Sequence, residues 1–444
     1  MTTKTSKVTR PLAVHVMAKP SGAICNISCE YCFYLEKEKL YPSVSKSQWK
    51  MSDEVLERYV KQYIETQDVS DVNFAWQGGE PTLLGIGFYK KALALQKKYS
   101  NGKNITNAFQ TNAILIDDEW AEFLATEKFL VGVSIDGPKN LHDRYRLDRG
   151  GNPTFDKVMS GVDAIKRYGV EFNTLTVLHK NNSDYPEEIY NFLTREVGSR
   201  FLQFIPIVER ISNIVRSDQL KLVDPDQKEA HLTEWSVGSE QYGKFLAKIF
   251  DIWVRNDVGK YYIQIFDTTL ASWVGQNPGL CIFAETCGDA MVIEHNGDVY
   301  SCDHFVYPKY NLGNVGQKSI REMSTSNEQR KFGQDKKDTL PKYCRECEFR
   351  FACNGGCPKQ RFIDTPDGEP GLNYLCAGYK IYFGHTAPFM KFMASELNSG
   401  RPPSNVMARA NRKSFSKGNI YAGTGRNQSC PCGSQKKYKI CHGA

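Results

Sequence analysis

No stretch of the 444-residue chain approaches the roughly 18 consecutive apolar residues that a membrane-spanning helix needs. An integral membrane protein built on such spans is excluded. The first twenty residues also lack an apolar core: Lys4, Lys7, Arg10 and Lys19 flank two short runs, Leu12 to Val14 and Val16 to Ala18, which His15 separates. That is not the pattern of a secretory signal peptide, and a cytoplasmic location is expected. Acidic residues are missing from Leu397 to the end, where nine Lys or Arg stand alone, so residues 1–396 carry 48 basic and 50 acidic side chains out of an overall +7. A basic tail on a near-neutral body is a solvated extension, or a docking surface for an acidic partner or nucleic acid.

What is present describes a soluble protein of two to four domains, 41% hydrophobic and 24% charged. Its fourteen cysteines belong to a reducing compartment, which favours metal or cluster ligation over disulfides. In the first half, β-branched runs alternate with amphipathic ones, the pattern of repeated βα units. Strands are expected over 13–18, 72–77, 105–110, 129–135, 171–178 and 201–208. Helices are expected behind Ser52 and over 87–99, 117–126, 155–168 and 185–196. Six consecutive units with no Gly-x-Gly-x-x-Gly after the first strand suit an α/β fold with a partial or full β/α barrel better than a Rossmann sheet, and in a barrel the chemistry belongs at the C-terminal strand ends.

Unusual residues cluster at those ends: Cys25-x3-Cys29-x2-Cys32 after strand one, Gly78-Gly79-Glu80-Pro81 after strand two, Gln110-Thr111-Asn112 after strand three, and Ser134-Ile135-Asp136-Gly137 after strand four. Three thiolates on one loop can hold three irons of a [4Fe-4S] cubane and leave the fourth open; a zinc site would want a fourth ligand, and His15 lies back on the preceding strand. The CxxxCxxC motif, with Tyr31 just before its third Cys and GGEP at the second strand, resembles the radical S-adenosylmethionine superfamily. The resemblance implies one-electron chemistry on a cluster that chelates the cofactor through its open iron. It also implies that Gly79 backbone groups meet the methionine amine, that Tyr31 contacts the adenine, that Ser134 and Arg146 hold the ribose and carboxylate side, and that Val208 packs on the adenine.

A second cysteine series runs Cys281, Cys287, Cys302, Cys344, Cys347, Cys353, Cys357 and Cys376. Eight thiolates suffice for two fully ligated cubanes, whereas a zinc ribbon over 344–357 would strand the other four. The series resembles a SPASM auxiliary-cluster domain. Following that family, Cys281, Cys287, Cys302 and Cys357 would hold one cluster, and Cys344, Cys347, Cys353 and Cys376 the other, for three [4Fe-4S] clusters in all. The organisation these resemblances imply is a partial (β/α)6 radical SAM barrel over 11–235, a helical connector over 236–275, SPASM over 276–395, a flexible basic linker over 396–424 and a zinc-binding segment over 425–444.

Within that group, FAWQGGEPTL, FQTNAILI, SIDGP, GDVYSCDHFV and CRECEFRFACNGGCPK resemble the anaerobic sulfatase-maturating enzymes. The resemblance covers about residues 11–390 and implies oxidation of a Cys or Ser in an unfolded sulfatase segment, Cys/Ser-x-Pro-x-Arg, to Cα-formylglycine. A flavodoxin or ferredoxin would donate electrons. Asp303, directly after Cys302, matches the family's general base. Two other readings use the same cysteines: a maturase that crosslinks ribosomal peptides, and a noncatalytic iron–sulfur carrier, which would leave GGEP, Ser134 and Asp303 idle. The tail ends in Cys430-Pro-Cys432-x8-Cys441-His442, a closed tetrahedral zinc set. With Gly433-Ser434 and Lys436-Lys437-Tyr438 it resembles the SEC-C motif of the preprotein translocation ATPase, and it is expected to dock an export chaperone or the ribosome.

Overall fold

A computed structural model describes residues 11–41, 49–212, 220–224, 227, 229–411, 426–428 and 437–441. The six expected strands form and lie side by side, all parallel: β1 (His15–Lys19), β2 (Asp71–Trp76), β3 (Asn104–Thr111), β4 (Leu130–Ser134), β5 (Phe172–Leu178) and β6 (Phe201–Pro206). Helix Asp53–Thr66 begins where Ser52 Oγ accepts the Val55 N–H at 3.2 Å. It buries Leu56, Tyr59, Val60, Tyr63 and Ile64, whose spacing puts them on one face. Tyr59 and Tyr63 stack at 5.7 Å, and Tyr59 meets Phe74 and Trp76 of β2 edge-on. Their hydroxyls donate to Val16 O (2.8 Å) and Asn73 O (2.9 Å), so aromatic bodies fill the core while their polar tips stay satisfied.

Two local expectations change. The helix expected over 185–196 is α-helical only through Pro186–Asn191; Phe192–Glu196 winds as a π-helix, and the Val197 N–H reaches Phe192 O at 3.0 Å. Strand β6 stops at Pro206 instead of Val208: the Ile207 N–H still reaches Leu178 O of β5 at 2.9 Å, but Ile207 O accepts the Val237 N–H at 3.0 Å and the Glu209 N–H donates to Ser236 Oγ at 2.9 Å, which turns the chain off the sheet. Beyond β6, β7 (Arg210–Ser212) and β8 (Ala230–Leu232) form a small antiparallel ribbon.

The sheet continues past both edges of the barrel. At one edge, β9 (Tyr262–Ile263) adds to β6. At the other, β10 (Ala290–Glu294) pairs parallel with β1 over all five residues, His15 opposite Ala290 through Lys19 opposite Glu294. A turn at Gly297, φ +91°, leads into β11 (Asp298–Tyr300), which pairs antiparallel with β12 (Asn311–Asn314). The ten strands run β12-β11-β10-β1-β2-β3-β4-β5-β6-β9, so the cysteine-rich half extends the barrel sheet itself.

The helix of the 236–275 connector packs its apolar face into the core. Helix Ser239–Asn256 buries Tyr242, Phe245, Leu246, Ile249, Phe250 and Trp253. It crosses helix Cys376–Asn398 so closely that a Cβ on Gly243 would lie 2.3 Å from Gly378 O. The expected flexible linker is packed chain over its first part: Val406–Ala410 is helical, with Val406 and Ala410 buried, and Asn411 Nδ2 donates to Arg255 O at 3.0 Å. Among the described residues no helix is long and apolar enough to cross a membrane.

Candidate active site

The CxxxCxxC loop leaves the C-terminal end of β1 and is fastened to residues 145–149. The Ser28 N–H donates to Leu147 O (2.8 Å) and Arg149 Nε to Cys25 O (2.8 Å). Cys25, Cys29 and Cys32 line a cavity of about 290 Å³ at the strand ends. Burial pushes the Cys25 thiol up to about 12 and raises those of Cys29 and Cys32 as well, so these side chains become thiolates only when a metal takes the proton's place. Among the described residues no three His, Cys, Asp or Glu gather round a single-ion position. Three thiols spread over one loop suit the separate corners of a cubane better than one zinc ion, and the donor set fits the expected cluster.

The GGEP turn clamps that loop. The Gly79 N–H donates to Gly22 O at 2.8 Å and the Glu80 N–H to Ile24 O at 2.9 Å; a Cβ on Gly79 would sit 2.0 Å from Ile24 O. With its N–H engaged, Gly79 has its carbonyl left as an acceptor. Glu80, 1% exposed, accepts from Thr82 N (3.0 Å), Thr82 Oγ1 (2.6 Å), Thr111 Oγ1 (2.8 Å) and Asn112 N (2.8 Å), tying the ends of β2 and β3 together. Ser134 Oγ accepts from Gln110 Nε2 at 2.9 Å.

Arg146 reaches the cavity already engaged: Nε and Nη2 donate to Asp136 at 2.9 and 3.2 Å. Asp136, fully buried, also accepts the Tyr31 hydroxyl and the Val177 N–H (2.9 Å). Burial works to raise its pKa, but the Arg146 guanidinium holds the carboxyl below the usual range. The Tyr31 ring lies against His179, 5.8 Å between centroids. Asp136 stood in the SIDG motif, yet nothing in the sequence marked it as the hub that orients both Tyr31 and Arg146. Val208 is buried and lines the cavity.

Asp303 enters the same cavity from the cysteine-rich half and forms an ion pair with Lys19, the 1% exposed last residue of β1. The Lys19 ammonium lies 3.7 Å from the centre of the Tyr34 ring and 3.5 Å from Gln77 Oε1. Burial raises the Asp303 pKa, but the Lys19 charge and hydrogen bond outweigh it and keep the carboxyl below its ordinary value. A second buried pair, Lys359 with Glu209, spans from the loop after Cys357 to the end of β6. Sequence reasoning missed both lysines, because the partner of each lies far along the chain.

The eight later cysteines fall into two groups. Cys344, Cys347, Cys353 and Cys376 line one pocket. Cys281, Cys287 and Cys302 line another, and Cys357 acts electrostatically on Cys287 and Cys302. Burial pushes Cys287, Cys353 and Cys376 up to about 12. Of the tail set, Cys430, Cys432 and His442 lie outside the described residues, as does the side chain of Cys441, whose backbone closes helix Tyr438–Cys441.

Residues 20–193 match the Radical SAM superfamily, 281–348 the iron–sulfur cluster-binding SPASM domain and 426–444 the SEC-C motif. Barrel, loop and cysteine groups together thus define a radical SAM protein with a SPASM domain. A serine-type anaerobic sulfatase-maturating enzyme of Bacteroides thetaiotaomicron is 51% identical over 395 residues, 89% of this chain and 94% of its own. A cysteine-type enzyme of Clostridium perfringens is 35% identical over 86% of this chain and 98% of its own. The solved structure of native anSMEcpe with bound AdoMet and Cp18Cys peptide is similar at 33% identity and TM-score 0.74, covering 86% of this chain and 99% of that one. The chain belongs to the anaerobic sulfatase-maturating enzymes.

Proposed function

We propose that this chain oxidises an active-site Cys or Ser of an unfolded sulfatase polypeptide to Cα-formylglycine without oxygen. The observation that carries the reading is the single cavity into which Cys25, Cys29 and Cys32 of the barrel and Asp303 of the SPASM half both open. The three thiolates would hold one [4Fe-4S] cluster, and Cys281, Cys287, Cys302, Cys357 and Cys344, Cys347, Cys353, Cys376 two more. When bound, the first cluster and S-adenosylmethionine supply hydrogen-atom abstraction from the substrate Cβ.

The chain's own residues do the rest. The Gly79 carbonyl would accept the methionine amine, Tyr31 and Val208 would flank the adenine, and Ser134 and Arg146 would hold the ribose and carboxylate side. Asp303 would accept the thiol or hydroxyl proton while the oxidised auxiliary cluster held by Cys281, Cys287, Cys302 and Cys357 would take the second electron; Lys19 keeps that carboxylate ionised and aimed. Residues 11–235 work as the barrel and 276–395 as the auxiliary-cluster domain. A flavodoxin or ferredoxin serves as electron donor in the cytoplasm. The tail, Cys430, Cys432, Cys441 and His442 around zinc, docks the enzyme on an export chaperone or the ribosome, where sulfatases are still unfolded; its excess of basic residues supports an acidic partner.

Anaerobically reconstituted enzyme should convert a Cys-x-Pro-x-Arg or Ser-x-Pro-x-Arg peptide to the formylglycine product, read by mass. An intramolecular crosslink on those peptides would point to a peptide maturase, and no 5′-deoxyadenosine at all to a noncatalytic carrier.

A further inference from the structure

Between Cys353 and Cys357, three consecutive residues adopt left-handed backbone: Asn354 (φ 46°), Gly355 (φ 72°) and Gly356 (φ 62°). Their carbonyls turn onto one side chain. Arg361 donates from Nε to Gly355 O at 3.0 Å and from Nη2 to Asn354 O at 2.9 Å and Gly356 O at 3.2 Å, while Nη1 reaches Lys336 O at 2.6 Å. A Cβ on Gly355 would lie 2.8 Å from Arg361 Nη2 and 2.3 Å from Leu340 Cδ2, so the close approach requires glycine as much as the dihedral does. Lys336 is itself buried, 1% exposed, and donates to Cys281 O at 2.7 Å, Ile282 O at 3.1 Å and Ala284 O.

Both cations are therefore held by neutral main-chain carbonyls, and among the described residues neither forms an ion pair with a carboxylate. A buried charge without a counter-charge is costly. The groups that can supply one are the cysteines. Arg361 holds the carbonyls of 354–356, flanked by Cys353 of one group and Cys357 of the other, whereas Lys336 bonds the carbonyls of Cys281, Ile282 and Ala284, beside a ligand of one group alone. The loop that Arg361 holds is thus the bridge between a ligand of each auxiliary cluster.

We propose that Arg361 is a positioning residue that raises the reduction potentials of both auxiliary clusters, and that Lys336 raises further the potential of the cluster held by Cys281, Cys287, Cys302 and Cys357. The inference rests on the cluster assignment given above. A cubane with four thiolates is an anion whose charge grows by one on reduction, so a fixed cation in a poorly screened interior stabilises the reduced form more. The two cations together favour the cluster whose ligand Cys302 adjoins Asp303, which puts the better electron acceptor beside the residue that takes the proton.

The test uses the full chain, reconstituted anaerobically with Cys25, Cys29 and Cys32 replaced by Ala so that only auxiliary signals remain, in a potentiometric titration followed by EPR. Arg361→Gln should lower both midpoints by at least tenfold in the reduction equilibrium constant, 59 mV for one electron, and Arg361→Lys should restore most of the shift. Lys336→Gln should lower one midpoint only. Unmoved midpoints in an iron-replete Arg361→Gln protein would overturn the proposal. Should that variant not hold its iron, Lys336→Gln decides: no shift, or an equal shift of both clusters, rejects it. Fewer than about eight irons in the triple-Ala background would instead be a failure of the cluster assignment.

Discussion

Replacing Asp303 by Asn removes the proposed base with almost no change of shape, but it also strips Lys19 of its anion. The Lys19 side chain is 2% exposed and that of Asp303 20%. Breaking a fully buried pair costs roughly 3–5 kcal/mol; the partial exposure of Asp303, the hydrogen bond an amide oxygen still accepts, and the Tyr34 ring at 3.7 Å bring the expected loss to about 2–3 kcal/mol. That is large enough to confuse instability with lost chemistry. The companion variant Lys19→Met with Asp303→Asn removes both charges and should recover most of the stability. Losing a general base costs about 10²- to 10⁴-fold, so both variants should still release 5′-deoxyadenosine while formylglycine falls at least ~10²-fold. The assay measures the two products together, by chromatography and peptide mass, beside a urea midpoint for each protein. Native formylglycine yield from a stably folded double variant would refute the role of Asp303, and unchanged stability in Asp303→Asn would refute the importance of the Lys19 pair.

Three further outcomes follow from the site. Gly79→Ala forces a methyl to within 2.0 Å of Ile24 O, a backbone atom that cannot rotate away, so the first loop should lose its share, about four, of the roughly twelve irons that eleven thiolates can hold; full iron content would disprove the clamp. Replacing Cys25, Cys29 and Cys32 by Ala should abolish cofactor cleavage and leave about eight irons, whereas surviving cleavage would move the radical site elsewhere. Burial lowers His142 to about 3 and His179 to about 4. Because the unfolded chain protonates these rings near pH 6.5 and the folded one does not, their contribution is complete above that pH and shrinks as pH falls, by up to about 1.4 kcal/mol per group and pH unit. Denaturant midpoints that stay flat from pH 7.5 to 5 would contradict this.

The parts of the site that could be read from sequence are those whose chemistry is local. Three thiols within eight residues, a Gly-Gly pair after a strand, and an aspartate beside a cysteine each carry meaning at short range. The resemblance supplied the interleaving of the eight later cysteines, which spacing leaves open. What stayed hidden depends on distant partners. Lys19 looked like one more positive charge near the start of the chain until Asp303 met it, and Lys359 is identifiable only against Glu209, 150 residues earlier. The strand Ala290–Glu294 reads as a short apolar run, and nothing within it says that its neighbour is β1. The packed helix at 406–410 hid in a segment whose composition resembles a linker.

The pairing of β1 with β10 has a consequence in time. His15 lies opposite Ala290, so the strand that carries the first cysteine loop is synthesised 275 residues before the strand that covers its outer edge. At about 5–20 residues per second, β1 waits roughly 15 to 55 s with one side unpaired. The loop that receives Lys19's partner is incomplete for as long, and iron loading belongs to the finished chain rather than to the nascent one. A fragment such as 11–275 would keep that edge bare indefinitely. Expressed alone, it should behave as a template for strand-on-strand aggregation and not as a minimal radical SAM domain.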